Sequence, residues 1–236
     1  MKIRRLPELD LARIAPMPRD QKRHALEQMK NGWPPYSYDP LRQSILDILN
    51  VSAGPLAVLP RTPWAFIAAE IAHRSKSDDE RTANLRAGEG LFNFAEEYEL
   101  VGNRHEFFPL ALGLTEKVIY WSPVVVAIDG RPVVPFFDPR RTKKLTADGR
   151  RFVFSVMHER IRVADPDFSD VRFAVMQFEN TKIGVRPAKS YFDDGLVLWD
   201  FNQLDEMVRE TYEVWREVLE ERITEARRAG GKGSLI

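Results

Sequence analysis

The sequence contains no cysteine among its 236 residues. This absence excludes disulfide bonds, thiolate catalysis and zinc or iron–sulfur sites held by cysteine. No apolar run is long enough to span a membrane. Residues 1–30 lack the apolar core of a secretory signal, and acidic residues interrupt their basic ones. We therefore expect a cytoplasmic protein without membrane contact, whose chemistry depends on acids, bases and hydroxyl groups.

Several catalytic motifs are also missing. A zincin helix needs a second histidine four residues after the first, but Arg162 follows His158 and Pro109 follows His105 at that spacing. The acidic segment 165–176 lacks the glycine and the glutamate of an EF-hand calcium loop. No nucleophile elbow, P-loop or dinucleotide fingerprint occurs. The sequence therefore predicts no resident metal ion or other cofactor.

The composition is that of an ordinary globular protein, with 44% hydrophobic and 30% charged residues. A chain of this length can bury one substantial core. We predict a single α+β domain over residues 1–230. Residues 1–113 form a mainly helical section, residues 114–230 form a sheet with helices, and residues 231–236 form a disordered tail.

Capping residues predict where the helices begin. Asp39-Pro40 and Thr62-Pro63 each place an N-cap before a proline and a helical apolar pattern. Ser77 and Glu80 form a capping box ahead of a third helix. A long amphipathic helix is predicted over residues 202–228, because its apolar residues recur every three or four positions.

An Asp129-Gly130 turn between two β-branched runs, Val124–Ile128 and Val133–Phe137, predicts a β-hairpin. This hairpin begins a mixed sheet. Residue composition also predicts strands at 118–121, 171–178, 185–192 and 196–199, and a helix at 151–164.

Charge is unevenly distributed although the net charge is zero. The segment 139–151 is strongly basic and predicts a loop that binds nucleic-acid phosphates through Arg140, Arg141, Lys143, Lys144, Arg150 and Arg151. The segment 205–222 is mainly acidic. The alternative is that both segments only keep the surface solvated.

The order of hairpin, acid-x-base, helix, strand and helix over residues 114–222 resembles the core of RecB-like PD-(D/E)XK nucleases. In that superfamily, an acid on one strand and an acid-x-lysine motif on the next hold a divalent metal such as Mg²⁺ or Mn²⁺ and orient water for phosphodiester hydrolysis. The resemblance implies Asp138, Glu179 and Lys182 as the catalytic set of an active enzyme.

Two departures weaken that set. Arg140 stands where a lysine is expected, and an arginine is not an equivalent catalytic group. Counting outward from the turn places Trp121, not a carboxylate, opposite Asp138. We therefore predict a noncatalytic, nuclease-like protein that binds nucleic acid or a protein that handles it. The alternatives are a metal-dependent nuclease and a protein-interaction module that acts through the arm at Trp33 or the acidic helix.

Overall fold

The computed structural model describes residues 5–29, 37–52, 60–113 and 116–230. Within these ranges the helices are α1 Glu8–Ile14, α2 Arg19–Glu27, α3 Asp39–Gln43, α4 Ile45–Ile48, α5 Trp64–Arg74, α6 Asp78–Glu97, α7 Ala147–Met157 and α8 Phe201–Gly230. A π-helical turn, His158–Arg162, continues α7. A short 3-10 turn follows at Pro166–Phe168.

The strands of the described residues are β1 Val51–Ser52, β2 Gly102–Arg104, β3 Leu110–Leu112, β4 Glu116–Val118, β5 Val124–Ile128, β6 Arg131–Asp138, β7 Arg172–Phe178 and β8 Ala188–Phe192. Six of them form a mixed sheet in the order β1-β2-β5-β6-β7-β8, and β3 pairs with β4 separately. The predicted α+β class, with a mixed sheet and a long C-terminal helix, is confirmed.

Helices cover both faces of the large sheet. On one face, Val134 and Phe136 of β6 belong to a core that includes residues of α1, α7 and α8. On the other face, Val133 and Phe137 pack with residues of α4, α5 and α6. Successive side chains of a strand point to opposite faces, so a strand covered on both sides needs apolar residues throughout. This explains the continuous apolar run in β6.

The predicted hairpin is confirmed. Asp129 and Gly130 occupy the turn with φ angles of 51° and 71°. Ile128 pairs with Arg131 across it. Two positive φ angles define the turn type that Asp-Gly favours.

The base of the hairpin differs from the regular ladder. The Ser122 N–H donates to the Pro135 carbonyl at 2.8 Å, and regular pairing of β5 with β6 does not reach that far. Regular pairing ends at Val126 and Val133, and Pro123 and Pro135 lie just beyond it, where a proline cannot donate to a ladder. The expected register between Trp121 and Asp138 is therefore wrong.

The cap predictions are confirmed in one case and displaced in two. Ser77 Oγ accepts a hydrogen bond from the Glu80 N–H at 3.2 Å at the start of α6. The helix expected after Asp39-Pro40 breaks at Ser44 into α3 and α4. Pro63 is itself the N-cap of α5, so this helix begins at Trp64, one residue later than Thr62-Pro63 predicts.

Several strand predictions also need correction. β1, β2 and β3 lie within the section predicted to be mainly helical. Residues 196–199 form no strand. This segment is held instead by side chains of α7: Ser155 Oγ accepts from the Trp199 N–H at 2.9 Å, and the Arg151 guanidinium donates to the Val197 carbonyl at 2.6 Å. The helix predicted at 151–164 begins earlier, at Ala147.

The arm at Trp33 and the tail 231–236 lie outside the described residues. No helix in the described part of the chain is long and apolar enough to cross a membrane.

Candidate functional site

The sequence places its candidate site at the end of β6, around Asp138. The side chain of Asp138 is completely buried. β6 runs parallel to β7, and this register puts Gln177 beside Asp138. The residue that the neighbouring strand contributes is therefore an amide and not a second carboxylate.

Both oxygens of the Asp138 carboxylate accept hydrogen bonds from the protein. Oδ1 accepts from Arg140 Nε at 2.9 Å. Oδ2 accepts from the Leu145 N–H at 2.8 Å and from Gln177 Nε2 at 3.0 Å. A buried charge requires partners of this kind. The carboxylate ties the loop after β6 to its own strand and to β7.

Arg140 extends this network to the N-terminal helix. Its Nη1 donates to Asp10 Oδ1 at 3.1 Å, and its Nη2 donates to the Leu9 carbonyl at 3.4 Å. The guanidinium thus joins Asp138 to α1. An arginine suits this role better than a lysine, because its planar fork can serve several acceptors at once.

Glu179 and Lys182, the other residues implied by the nuclease resemblance, lie exposed on the loop between β7 and β8. The backbone of Glu179 is engaged, since its N–H donates to the Pro187 carbonyl at 2.9 Å. Among the described residues, no group of three or more histidines, aspartates or glutamates is arranged to hold a metal ion. The structure thus brings together Asp138, Arg140 and Gln177, and leaves Glu179 and Lys182 on the surface.

Arg186 is a key residue that the sequence analysis missed. It is only 1% exposed. Its guanidinium donates to the carbonyls of Pro139 at 2.7 Å, Glu179 at 3.1 Å and Arg140 at 3.2 Å. One buried arginine therefore joins the loop after β6 to the loop after β7. No sequence pattern distinguishes such an arginine from a surface one.

Three more of the predicted phosphate-binding residues make internal contacts. Lys144 Nζ donates to the Phe178 carbonyl. Arg150 donates to Gln177 Oε1 at 3.3 Å, and Arg151 lies 4.0 Å above the ring of Trp199. Burial lowers the pKa of Lys144, and the nearby Arg186 lowers it further. These side chains contribute to the packing of the loop.

Arg141 and Lys143 are exposed on this loop. Lys143 has a φ angle of 52° and, together with Arg13 and His24, lines a cavity of about 470 Å³ beside α2. The segment 139–151 is thus not a uniformly solvent-facing row of cations. Arg140, Lys144, Arg150 and Arg151 are held by protein groups, while Arg141 and Lys143 face solvent.

The acidic C-terminal helix is also engaged within the protein. Arg19 Nη2 lies 2.6 Å from Glu217 Oε1, and Arg23 Nη2 donates to the carboxylate of Glu221. Lys22, which is buried, pairs with Glu210. The acids on this face of α8 fix α2 in place, because opposite charges line the two helices.

Comparisons with known proteins identify relatives over almost the whole chain. The family model described as sliding clamp-binding bacterial toxin SocB matches residues 9–225. The chain is 36% identical over 234 residues to the DNA replication inhibitor toxin SocB of Caulobacter vibrioides strain NA1000 / CB15N. That alignment covers 99% of this chain and 98% of the relative. No solved structure matches the chain.

These relatives overturn the function predicted from the sequence. The main prediction, a nuclease-like protein that binds nucleic acid, is wrong, because the family is one of toxins that bind a protein. Neither relative is described as a nuclease, so the findings lend no support to the alternative of a metal-dependent nuclease. The basic loop and the acid-x-base pattern misled the interpretation, since most of their side chains stabilise the fold. The third hypothesis, a protein-interaction module, agrees better with these findings. Because the family match extends from α1 to near the end of α8, the chain belongs to the family of sliding clamp-binding bacterial toxins called SocB.

Proposed function

We propose that this protein binds the bacterial sliding clamp and thereby inhibits DNA replication. The observation that carries this proposal is the 36% identity to a DNA replication inhibitor toxin over 99% of the chain. The alignment also covers 98% of the relative, so the two sequences correspond over nearly their full lengths.

The contacts of the charged residues at the end of β6 support a binding function, because these residues are engaged within the protein and not arranged for catalysis. Asp138 is buried and hydrogen-bonded on both oxygens, and Arg140 and Arg186 are occupied by protein acceptors. These groups hold the fold together. The side chains that remain for a partner are those on the surface, and they include exposed apolar residues such as Val101 and Ile183.

The direct test is binding of the purified protein to the purified sliding clamp of the same bacterium, without DNA. We expect a complex that co-elutes in size-exclusion chromatography and gives a saturable signal in calorimetry. A duplex oligonucleotide of matched length serves as the control, and the protein should bind it more weakly than it binds the clamp.

Two results would contradict the proposal. One is the absence of a complex at protein concentrations well above about 10 µM. At such concentrations, partners with a Kd of about 1 µM would be mostly bound. The other is a complex that forms only when DNA is added, which would make DNA and not the clamp the primary ligand.

A further inference from the structure

We propose that α2 is a strap held on α8 by charge, and that it detaches and unfolds at high ionic strength while the rest of the fold persists. This inference goes beyond the proposed function, because it concerns the protein alone and requires no clamp. Three features carry it: a contact made mainly of ion pairs, little apolar burial in α2, and a helix too short to be stable by itself.

The contact between α2 and α8 consists of facing rows of opposite charge. The bases of α2 are Arg19, Lys22 and Arg23, and they meet three acids of α8, Glu210, Glu217 and Glu221. These acids are seven and then four residues apart, a spacing that places them on one face of the helix. Arg23 contacts two of them, since its Nη1 donates to Glu217 at 3.3 Å and its Nη2 donates to Glu221 at 2.6 Å.

Most of these ion pairs are open to solvent. The side chains of Arg19 and Glu217 are 50% and 44% exposed, and those of Arg23 and Glu221 are 37% and 54% exposed. Exposed pairs contribute little stability each. They are also screened, because the Debye length shortens from about 10 Å in about 0.1 M salt to about 3 Å in about 1 M salt. The attraction between α2 and α8 must therefore weaken as salt is added.

Lys22 adds a buried charge to this contact. Its side chain is only 2% exposed, and its ammonium pairs with Glu210. Removing a charge from water costs free energy, and an ion pair recovers that cost only with good geometry, so a buried pair adds little net stability. When salt screens the neighbouring pairs, return of the Lys22 ammonium to water favours release of α2.

Apolar burial distinguishes α2 from the helix before it. Leu26 is the only apolar residue of α2 that is buried. α1, in contrast, buries Leu9, Leu11, Ala12 and Ile14. The hydrophobic effect depends on the apolar area removed from water and is not screened as charge is. Salt should therefore release α2 and leave α1 in place.

α2 also depends on α8 for its own helical structure. It has nine residues, whereas isolated helices shorter than about 12–15 residues are marginal in water. No side chain caps its N-terminus. At its C-terminal end, Arg222 of α8 donates to the carbonyls of Leu26 at 3.2 Å, Glu27 at 2.7 Å and Met29 at 2.9 Å. Detachment from α8 and loss of the helix are thus one local event.

Release of α2 changes the surface of α8. The docked α2 places a base opposite each of Glu210, Glu217 and Glu221. Without α2, the same face of α8 presents a row of negative charges to solvent. The strap therefore controls whether this face is neutralised or acidic.

The test is hydrogen–deuterium exchange of the wild-type protein in dilute and in about 1 M sodium chloride. The amides of α2 should exchange at least about tenfold faster at high salt, because local opening becomes more frequent. The amides of α1 and β6 should keep their rates, since apolar burial holds these elements. This comparison uses only the wild-type chain, so it does not depend on whether a variant folds.

A charge swap tests whether the ion pairs are the cause. Arg23→Glu should speed exchange in α2 at low salt, because the new carboxylate faces Glu217 and Glu221. The double variant Arg23→Glu/Glu221→Arg should recover protection, since it restores the pair with its charges reversed. Arg81→Glu is the matched control, because Arg81 is 50% exposed and forms its ion pair within α6. It should leave exchange in α2 unchanged.

Three results would overturn the inference. One is exchange in α2 that is as slow at high salt as at low salt. Another is an increase that α2, α1 and β6 share, which would mean that salt acts on the whole fold. The third is a double variant no better protected in α2 than Arg23→Glu alone, since a contact held by charge must respond to the swap.

Discussion

At the scale of single residues, Asp138 shows how an apparent active-site acid stabilises a loop. Its oxygens take donors from Arg140, Leu145 and Gln177 in a completely buried position. A catalytic acid needs an oxygen that can reach substrate or metal. The acid-x-base pattern at Asp138 is compatible with either a catalytic acid or a structural acid. Only the three-dimensional contacts distinguish these two roles.

Replacing Asp138 with asparagine should destabilise the protein by about 2–4 kcal/mol. The reason is that an asparagine must direct its amide nitrogen at one of the donors that the carboxylate now serves, leaving that buried donor without an acceptor. Urea denaturation measures the change. Asp170→Asn is the control, because Asp170 is exposed and its loss should stay within about 0.5 kcal/mol. Equal stability of the two variants would remove the structural role assigned to Asp138.

Gly130 tests the hairpin turn. Its φ angle is 71°, and no atom lies within 4 Å of the position that a Cβ would occupy. Gly130→Val therefore changes the backbone preference without creating a clash. We expect a loss of about 1–2 kcal/mol, because an L-residue resists positive φ and a β-branched one does so most. A melting temperature equal to that of the wild type would show that the turn tolerates other conformations.

At the scale of elements, the N-terminus of α6 is stabilised more extensively than a capping box alone. The Glu80 carboxylate accepts from the Lys76 N–H at 2.6 Å and from the Ser37 N–H at 2.9 Å. These bonds, first that from Lys76 and then those from Ser37, lower the pKa of Glu80. Asn84, one turn further along α6, accepts from the Leu41 N–H at 3.0 Å. The start of α6 thus holds the segment that leads into α3.

The lowered pKa of Glu80 predicts a pH dependence. A carboxyl whose pKa is lower in the folded protein contributes stability above its unfolded pKa, near 4.5, and loses it as pH falls through the folded value. Glu80→Gln should therefore be less stable than wild type at pH 7, by about 1 kcal/mol or more. The difference should shrink as pH falls below about 4.5. Thermal unfolding across this range measures it, with the exposed Asp79→Asn as control. A constant difference at all pH values would contradict this role.

Local patterns predicted the elements that depend on local chemistry. The Asp129-Gly130 turn, the Ser77 cap and the apolar stripe of α8 each specify their own structure. β1 and β2 were not predicted, because they are two and three residues long and depend on pairing with distant strands. The 196–199 segment has the composition of a strand, but its backbone is hydrogen-bonded to side chains of α7 and not to a neighbouring strand.

At the scale of the whole molecule, the fold class was predictable and the function was not. Alternating helices and apolar strands already indicate layers of helices on a sheet. A charge run, in contrast, does not reveal whether its side chains face solvent. Arg140, Arg150 and Arg151 turn to protein acceptors, and Arg186 stood outside the predicted site. The function became accessible through similarity to relatives over the whole chain.

The measurement that tests the central claim most directly is DNA synthesis on a primed single-stranded circle, with and without the sliding clamp and its loader. If the protein acts by binding the clamp, it should stop the long products that require the clamp and leave clamp-independent synthesis by the same polymerase unchanged. Excess free clamp should restore the long products, since it binds the protein away from the template. Equal inhibition of both reactions, or inhibition that excess clamp does not relieve, would contradict the account.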